Sequence, residues 1–252
     1  MKGNEKVNII FVAELFNTKH GLEDTDVVVE DDEGTREERA FRQWINSLGI
    51  EDVFVNNLYQ DLKDGFVLCK VIHRINDKVV EWNRLEKNPD IIFKRTINCQ
   101  VAMDAARKLG VQMLGIGAHD IATGHKQFIL AIVWQLVRLH ALQLIGSKSE
   151  QDLLDWVSQT EHVTAFNDRK FEDGRLLIRL CELVDPTVVN WSFVKEGKSQ
   201  EDKELNAKYA ISLARKLGAV IFLVWDDIPN LNKKMILIFV CSLYDLKHKL
   251  SD

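Results

Sequence analysis

The stretch KQFILAIVWQLVRLHALQLI, residues 126–145, decides the fold class. Fourteen of its twenty residues are apolar, and they are not confined to one stripe. On a helical wheel only Gln135 and Arg138, flanked by Ala131 and Leu142, form a strip that water could reach. A helix apolar on nearly every side belongs in a protein core or in a membrane. Lys126, Gln135, Arg138, His140 and Gln143 interrupt the run well short of the roughly 18 clean apolar residues of a membrane span, so no membrane is expected. The stretch therefore predicts a central core helix about 30 Å long, with Trp134 at its midpoint as a core side chain.

Outward from this helix the pattern stays helical. The 252 residues contain only three prolines, and β-branched alternation is hard to find, so the expected class is all-α. The net charge is −5, but residues 21–35 hold seven acids and no base. Without them, 33 bases face 31 acids and the folded parts are nearly neutral, which offers nothing to a nucleic acid. Cys69, Cys99, Cys181 and Cys241 lie in apolar helical contexts without C-x-x-C spacing and read as reduced core residues in a cytosolic protein. The start has a short apolar run but no small-residue cleavage site, so no signal peptide is expected.

Residues 6–17, KVNIIFVAELFN, read as an amphipathic helix resembling the last helix, KKMILIFVCSLYD, with Phe11-Val12 matching Phe239-Val240. A lone closing helix in front points to a fragment that starts inside an earlier repeat, with residues 1–20 as that helix and 21–35 as an acidic linker. Thr35-Arg36-Glu37-Glu38 predicts a capping box in which the Glu38 carboxylate reaches back to the cap. The helix it opens carries Phe41, Trp44, Ile45 and Leu48 and ends at Gly49. Asp64-Gly65 opens a second helix, Val79-Val80-Glu81-Trp82 form a loop, and a third helix runs from about Lys94 to Leu109.

The pattern then recurs. Trp156 matches Trp44. Asp173-Gly174 repeats Asp64-Gly65 and Val188-Val189-Asn190-Trp191 repeats Val79-Val80-Glu81-Trp82, both at an offset of 109. Ala214-Arg215-Lys216-Leu217-Gly218 repeats Ala106-Arg107-Lys108-Leu109-Gly110 at an offset of 108. Ser149 and Ser199 read as helix caps, each with an acid three residues on. Two copies of one small all-helical domain are expected, at about 36–146 and 149–252, with almost no linker. Five of the six tryptophans recur at equivalent or central positions and read as core. Trp225, without a counterpart in the first copy, is the candidate to cover a seam between the two.

These features together resemble the calponin-homology domain: an opening helix with a central Trp, an Asp-Gly helix start, a loop ending in Val-x-Trp, an Asn-x-x-x-Ala…Leu-Gly helix and a long apolar closing helix. Two in tandem resemble the actin-binding unit of the spectrin and filamin superfamily. Lys6-Val7-Asn8, Leu15-Phe16-Asn17, the run Thr35 to Arg42, Trp44 to Gly49, and Trp134-Gln135-Leu136 are similar to the fimbrin (plastin) family at the start of its second actin-binding unit. The resemblance implies binding of filamentous actin by a monomer in the cytoplasm and, in a full-length protein with two such units, bundling of parallel filaments. It places the contact on 36–48, 126–143 and 150–160. The side chains it singles out are Arg36, Arg39, Arg42, Lys126, Gln127, Gln135, Arg138, Leu142, Gln151 and Asp155. Fimbrins often carry a second base beside Arg138, where this chain has Leu139 and His140. By residues alone, Gln135 and Arg138 read as an ordinary solvated strip, and only the resemblance brings actin contact level with that reading. The alternative from another functional class is a signalling or microtubule-binding adaptor built on the same domain, but single copies are the usual form there.

Signals for an enzyme, a cofactor or a metal fail on spacing. Gly197-Lys198-Ser199 looks like the end of a phosphate loop, but Ser192 stands where that loop needs Gly. Asp24-Thr25-Asp26 could open a calcium loop, but Val28 and Val29 replace a ligand and the obligatory Gly, and Thr35 replaces the closing Glu. The seven histidines show no metal spacing, and His119-Asp120 reads as a helix cap rather than a catalytic dyad.

Overall fold

The computed structural model describes residues 35–146 and 148–249, so the expected helix over 6–17 and the acidic stretch up to residue 34 lie outside the described residues. The first copy contains α1 (Arg36–Ser47), α2 (Leu58–Asp61), α3 (Phe66–Ile75), α4 (Ile92–Lys108), α5 (Ala118–Thr123) and α6 (Lys126–Leu144). The second contains α7 (Glu150–Ser158), α8 (Arg175–Val184), α9 (Gln200–Lys216) and α10 (Lys233–Lys249). Short 3-10 turns at Trp82–Arg84 and Trp191–Phe193 occupy equivalent places, and two more, Arg169–Phe171 and Trp225–Asp227, belong to the second copy. No strand occurs among the described residues. From Thr35 onward the two copies pack as one compact unit.

Helix starts follow local chemistry, with one exception. Ser149 Oγ accepts from the Asp152 amide at 3.2 Å while the Asp152 carboxylate accepts from the Ser149 amide at 2.7 Å, a complete capping box on α7. Ser199 caps α9 by accepting from the Asp202 amide at 3.0 Å. Thr35 likewise accepts from the Glu38 amide at 3.3 Å. The Glu38 carboxylate, however, does not reach back to Thr35. It is buried and accepts from the amide of Leu58 at 3.2 Å, so it satisfies the start of α2 instead. A long-range orphan donor has captured the side chain that the local pattern assigns to its own helix.

The Asp-Gly repeat has a tertiary cause. Asp64 Oδ1 accepts from the Phe66 amide at 2.8 Å and Asp173 Oδ1 from the Arg175 amide at 2.9 Å, each holding the first turn of its helix. Gly65 and Gly174 sit at φ +78° and +74°, and each lies against the backbone of the long helix behind it. A Cβ on Gly65 would fall 2.6 Å from the Asn98 carbonyl carbon, and one on Gly174 would fall 3.0 Å from the Ala207 nitrogen. Asn98 and Asn206 are themselves fully buried. Asn98 Oδ1 accepts from the Glu86 amide at 2.7 Å and its Nδ2 donates to the Glu86 carbonyl at 3.1 Å. Asn206 clamps Lys195 in the same two-way fashion at 2.8 and 3.1 Å, and also donates to the Asp173 carbonyl at 2.9 Å. One buried, hydrogen-bonded amide thus ties the loop after each 3-10 turn to the helix that the glycine packs on.

Burial corrects the tryptophan reading. Trp44 and Trp156 are core side chains at 4% and 8% exposure, but Trp82 and Trp191 stand 39% and 40% exposed on their 3-10 turns. Trp82 meets His73 edge to face, and Trp191 Nε1 donates to Glu182 Oε1 at 2.7 Å. Trp134 is half-buried rather than central, stacked on Phe41 with ring centres 6.3 Å apart. The reason lies in the two sides of α6. Ile129, Ile132, Val133, Leu136 and Val137 enter the first copy's core, whereas the side bearing Trp134 and Arg138 meets the second copy. An all-round apolar helix here means a helix covered by two domains. Length and apolar composition alone would suit a membrane span as well, but a helix packed between two domains has the same composition.

The glycine contacts make a graded stability series. Gly65→Ala adds a backbone clash to the left-handed strain and should cost about 2–4 kcal/mol. Gly174→Ala, with looser contacts, should cost less. Gly49→Ala, at φ +61° with nothing within 4 Å of the added carbon, should cost about 1 kcal/mol of strain alone. Thermal or urea unfolding of the three variants checks the order, and equal losses would refute the close-approach explanation.

Candidate functional site

The three stretches singled out by sequence fall on α1, α6 and α7. Helix α1 lies on α6 through the Phe41–Trp134 stack and through Trp44, whose Nε1 donates to His140 Nδ1 at 3.4 Å. Lys126 and Gln127 are exposed at the start of α6, with the Lys126 ammonium 5.3 Å from the centre of the Tyr59 ring. Gln135 and Leu142 are half-buried further along it. On α1, Arg39 and Arg42 are half-buried, and Arg42 Nη1 donates to the Asn56 carbonyl at 2.6 Å. On α7, Gln151 and Asp155 are exposed and joined by a 2.8 Å hydrogen bond.

Arg36 and Arg138 have a different environment. Arg36 Nη2 pairs with Asp226 and its Nη1 lies 3.3 Å from Asp227 Oδ1. Arg138 Nε lies 2.5 Å from Glu150 Oε1 at the start of α7. Beside them Lys234 Nζ sits 2.8 Å from Glu37 Oε1 and 5.6 Å from the Trp134 ring centre. The seam between the copies is thus a row of ion pairs flanking α6, and it neutralises two of the five bases on α1 and α6. These groups are partly exposed, so each pair contributes at most about 1 kcal/mol, and their effect is mainly on registration. Asp227 is the exception in burial, at 1% exposure, and is fully engaged by Arg36, Asn232 Nδ2 at 2.8 Å and the Val224 amide at 2.9 Å.

Sequence reading singled out Trp225 for the seam. The ring instead packs on α9, with Lys208 Nζ 5.4 Å from its centre, and its neighbours Asp226 and Asp227 do the bridging. Glu37, Glu150, Asp226, Asp227 and Lys234 carry no periodic or motif signal, because Arg36 and Asp226 are 190 positions apart.

The look-alike catalytic groups have structural duties. Asp120 Oδ2 accepts from the Gly117 amide at 2.9 Å and caps α5. Ser199 is spent on its own helix start and Lys198 pairs with Glu196. The four cysteines are free and buried, and burial pushes each thiol up to about 12, far from the thiolate that reactivity needs. Among the described residues no group of three or more His, Cys, Asp or Glu could hold a metal ion.

His140 is the titrating group in this region. Burial, with the Arg74 charge adding to it, holds its imidazole below the ordinary value of 6.5. The unfolded chain therefore binds a proton at higher pH than the folded one. Stability from this group is complete above about pH 6.5 and falls as pH drops from there towards the lower folded value. The thermal midpoint should decline on acidification below pH 6.5, with a shallower slope in His140→Gln. Identical slopes would place the dependence elsewhere.

Comparison with known proteins matches this architecture. A model of the calponin homology (CH) domain matches residues 35–141 and 147–249. Over 96% of its length the chain is 36% identical to Fimbrin-4 of Arabidopsis thaliana and 34% identical to Plastin-3 of Homo sapiens, spanning 41% and 42% of those proteins. The chain thus covers about two-fifths of the length of the relatives it matches. The crystal structure of the actin-crosslinking core of Schizosaccharomyces pombe fimbrin superposes with a TM-score of 0.77 at 32% identity, covering 96% of this chain and 53% of that one. With two matched copies, a tandem helical architecture and relatives of the same build, the chain belongs to the calponin homology domain family.

Proposed function

We propose that this tandem unit binds filamentous actin in the cytoplasm and belongs to a longer fimbrin-like protein that bundles filaments through two such units. The similarity to fimbrins and plastins over 96% of the chain supports this reading. The observation that carries it is the placement of α1, α6 and α7. Helix α1 rests on α6, and the Arg138–Glu150 pair ties α6 to the start of α7. The contact stretches 36–48, 126–143 and 150–160 are thereby linked physically, although they are remote in sequence.

Actin filaments are acidic, and the charges on these helices are unequal. Arg42 and Lys126 lie on the first domain, against the Asn56 carbonyl and the Tyr59 ring rather than an acid of the second domain, while α7 (EQDLLDWVS) has three acids and no base. The first domain therefore supplies the electrostatic attraction, and the second contributes shape. A single tandem unit also offers one filament site, so the 252-residue chain binds without crosslinking well.

Cosedimentation tests the reading. The chain should pellet with actin filaments at high speed, leave microtubules in the supernatant, and give no low-speed bundle pellet. Pelleting with microtubules instead would favour the adaptor reading. Arg42→Glu and Lys126→Glu should weaken filament binding about tenfold and flatten its salt dependence, because exposed charges are screened over about 8 Å at physiological ionic strength. Asp155→Lys on α7 should change affinity less. If the α7 variant proves the more damaging, the assignment of charge to the first domain is wrong.

A further inference from the structure

Between the two domains, beside α1 and α6, lies a cleft of about 400 Å³. Its walls come from both copies: Trp44, Val137 and Ala141 on one side, Phe222 and Ile238 on the other. The volume and mixed lining fall in the range of small-molecule sites, which are mostly apolar with a few convergent polar groups. The polar groups determine what could enter.

Several of those groups are already engaged. Ser47 Oγ donates to the Trp44 carbonyl at 2.7 Å, and Ser242 Oγ donates to the Val220 carbonyl at 3.1 Å. The Asp245 carboxylate lies 2.6 Å from Lys249 Nζ, so that acid and that base answer each other. Arg74 is different. Its Nε donates to the Leu48 carbonyl at 3.3 Å, which anchors the exposed guanidinium at the cleft mouth, and no acid among the described residues pairs with it. His140 contributes a second donor. Because its Nδ1 accepts from the Trp44 indole, the neutral ring carries its proton on Nε2. The cleft therefore combines apolar walls with an unmatched cation and a spare N–H, and its carboxylate is matched by a lysine.

We propose that this interdomain cleft binds a small amphiphilic anion, an aromatic or short aliphatic carboxylate whose apolar body lies between the domains and whose head meets Arg74 and His140. Binding needs both walls in place, so such a ligand stabilises the apposed arrangement of the two domains by mass action. The proposal does not depend on filament binding, and its test uses no actin.

The test is calorimetric titration of the whole chain with 2-naphthoate and with its neutral counterpart 2-naphthylmethanol. One naphthoate should bind per chain, and more tightly than the alcohol. Arg74→Gln should weaken naphthoate about tenfold or more and leave the alcohol unchanged, the loss expected for one charge-assisted contact. Ala219→Trp, which fills the cleft from the second domain, should abolish both. No saturable naphthoate binding up to millimolar concentration overturns the proposal. So does Arg74→Gln binding naphthoate as tightly as the parent, or a folded Ala219→Trp that still binds. Should Ala219→Trp fail to fold, the Arg74→Gln comparison decides alone.

Discussion

Helix α6 carries apolar side chains on two sides, and the architecture follows from covering both. Ile129, Ile132, Val133, Leu136 and Val137 fill the first domain, while Trp134 and the aliphatic stem of Arg138 face the second. Burial of apolar surface is worth roughly 25 cal/mol per Å², so leaving either side open would be costly. The ion pairs at the edge of that contact add little energy, but opposite charges must be matched as they come together. Arg36 with Asp226 and Asp227, Glu37 with Lys234, and Arg138 with Glu150 therefore act as a register for a contact driven by apolar area.

Each domain repeats a smaller constraint. A left-handed glycine lets one helix start directly on the backbone of another, and a buried asparagine on that second helix holds the preceding loop. The two features require each other. A side chain at the glycine would push the helices apart, and separated helices would leave the asparagine amide without partners in an apolar interior, at a cost of about 1–3 kcal/mol. That mutual requirement accounts for the recurrence of the Asp-Gly and Asn pair, with Gly and Asn 33 positions apart in the first half and 32 in the second, in a chain whose surfaces differ.

The seam also changes how the candidate contact is charged. Arg36 and Arg138 look like free bases along a helical strip, yet in the apposed arrangement acids of the second domain answer both. The positive charge that Arg42 and Lys126 bring to the α1–α6 contact is not answered in that way. Tandem domains can in this way set the net charge of a surface that neither domain would present alone.

Periodicity, caps and the internal repeat were enough to reveal an all-helical chain of two copies, the helix starts at Thr35, Ser149 and Ser199, and the Asp-Gly junctions. The caps and the 3.6-residue period arise from interactions within a few residues and are written in local order, whereas the Asp-Gly junctions were legible only because they recur, their cause being tertiary. Tertiary structure decided the rest. It sent the Glu38 carboxylate to Leu58, left Trp82 and Trp191 on the surface, moved Trp134 from a core to a boundary, and gave the seam to Asp226 and Asp227 instead of Trp225. Where a partner decided the outcome it lies on a separate element, up to 191 positions away. A hydrophobic pattern records that a face must be covered, but not which element covers it, because burial is non-directional and any apolar surface of the right shape will serve.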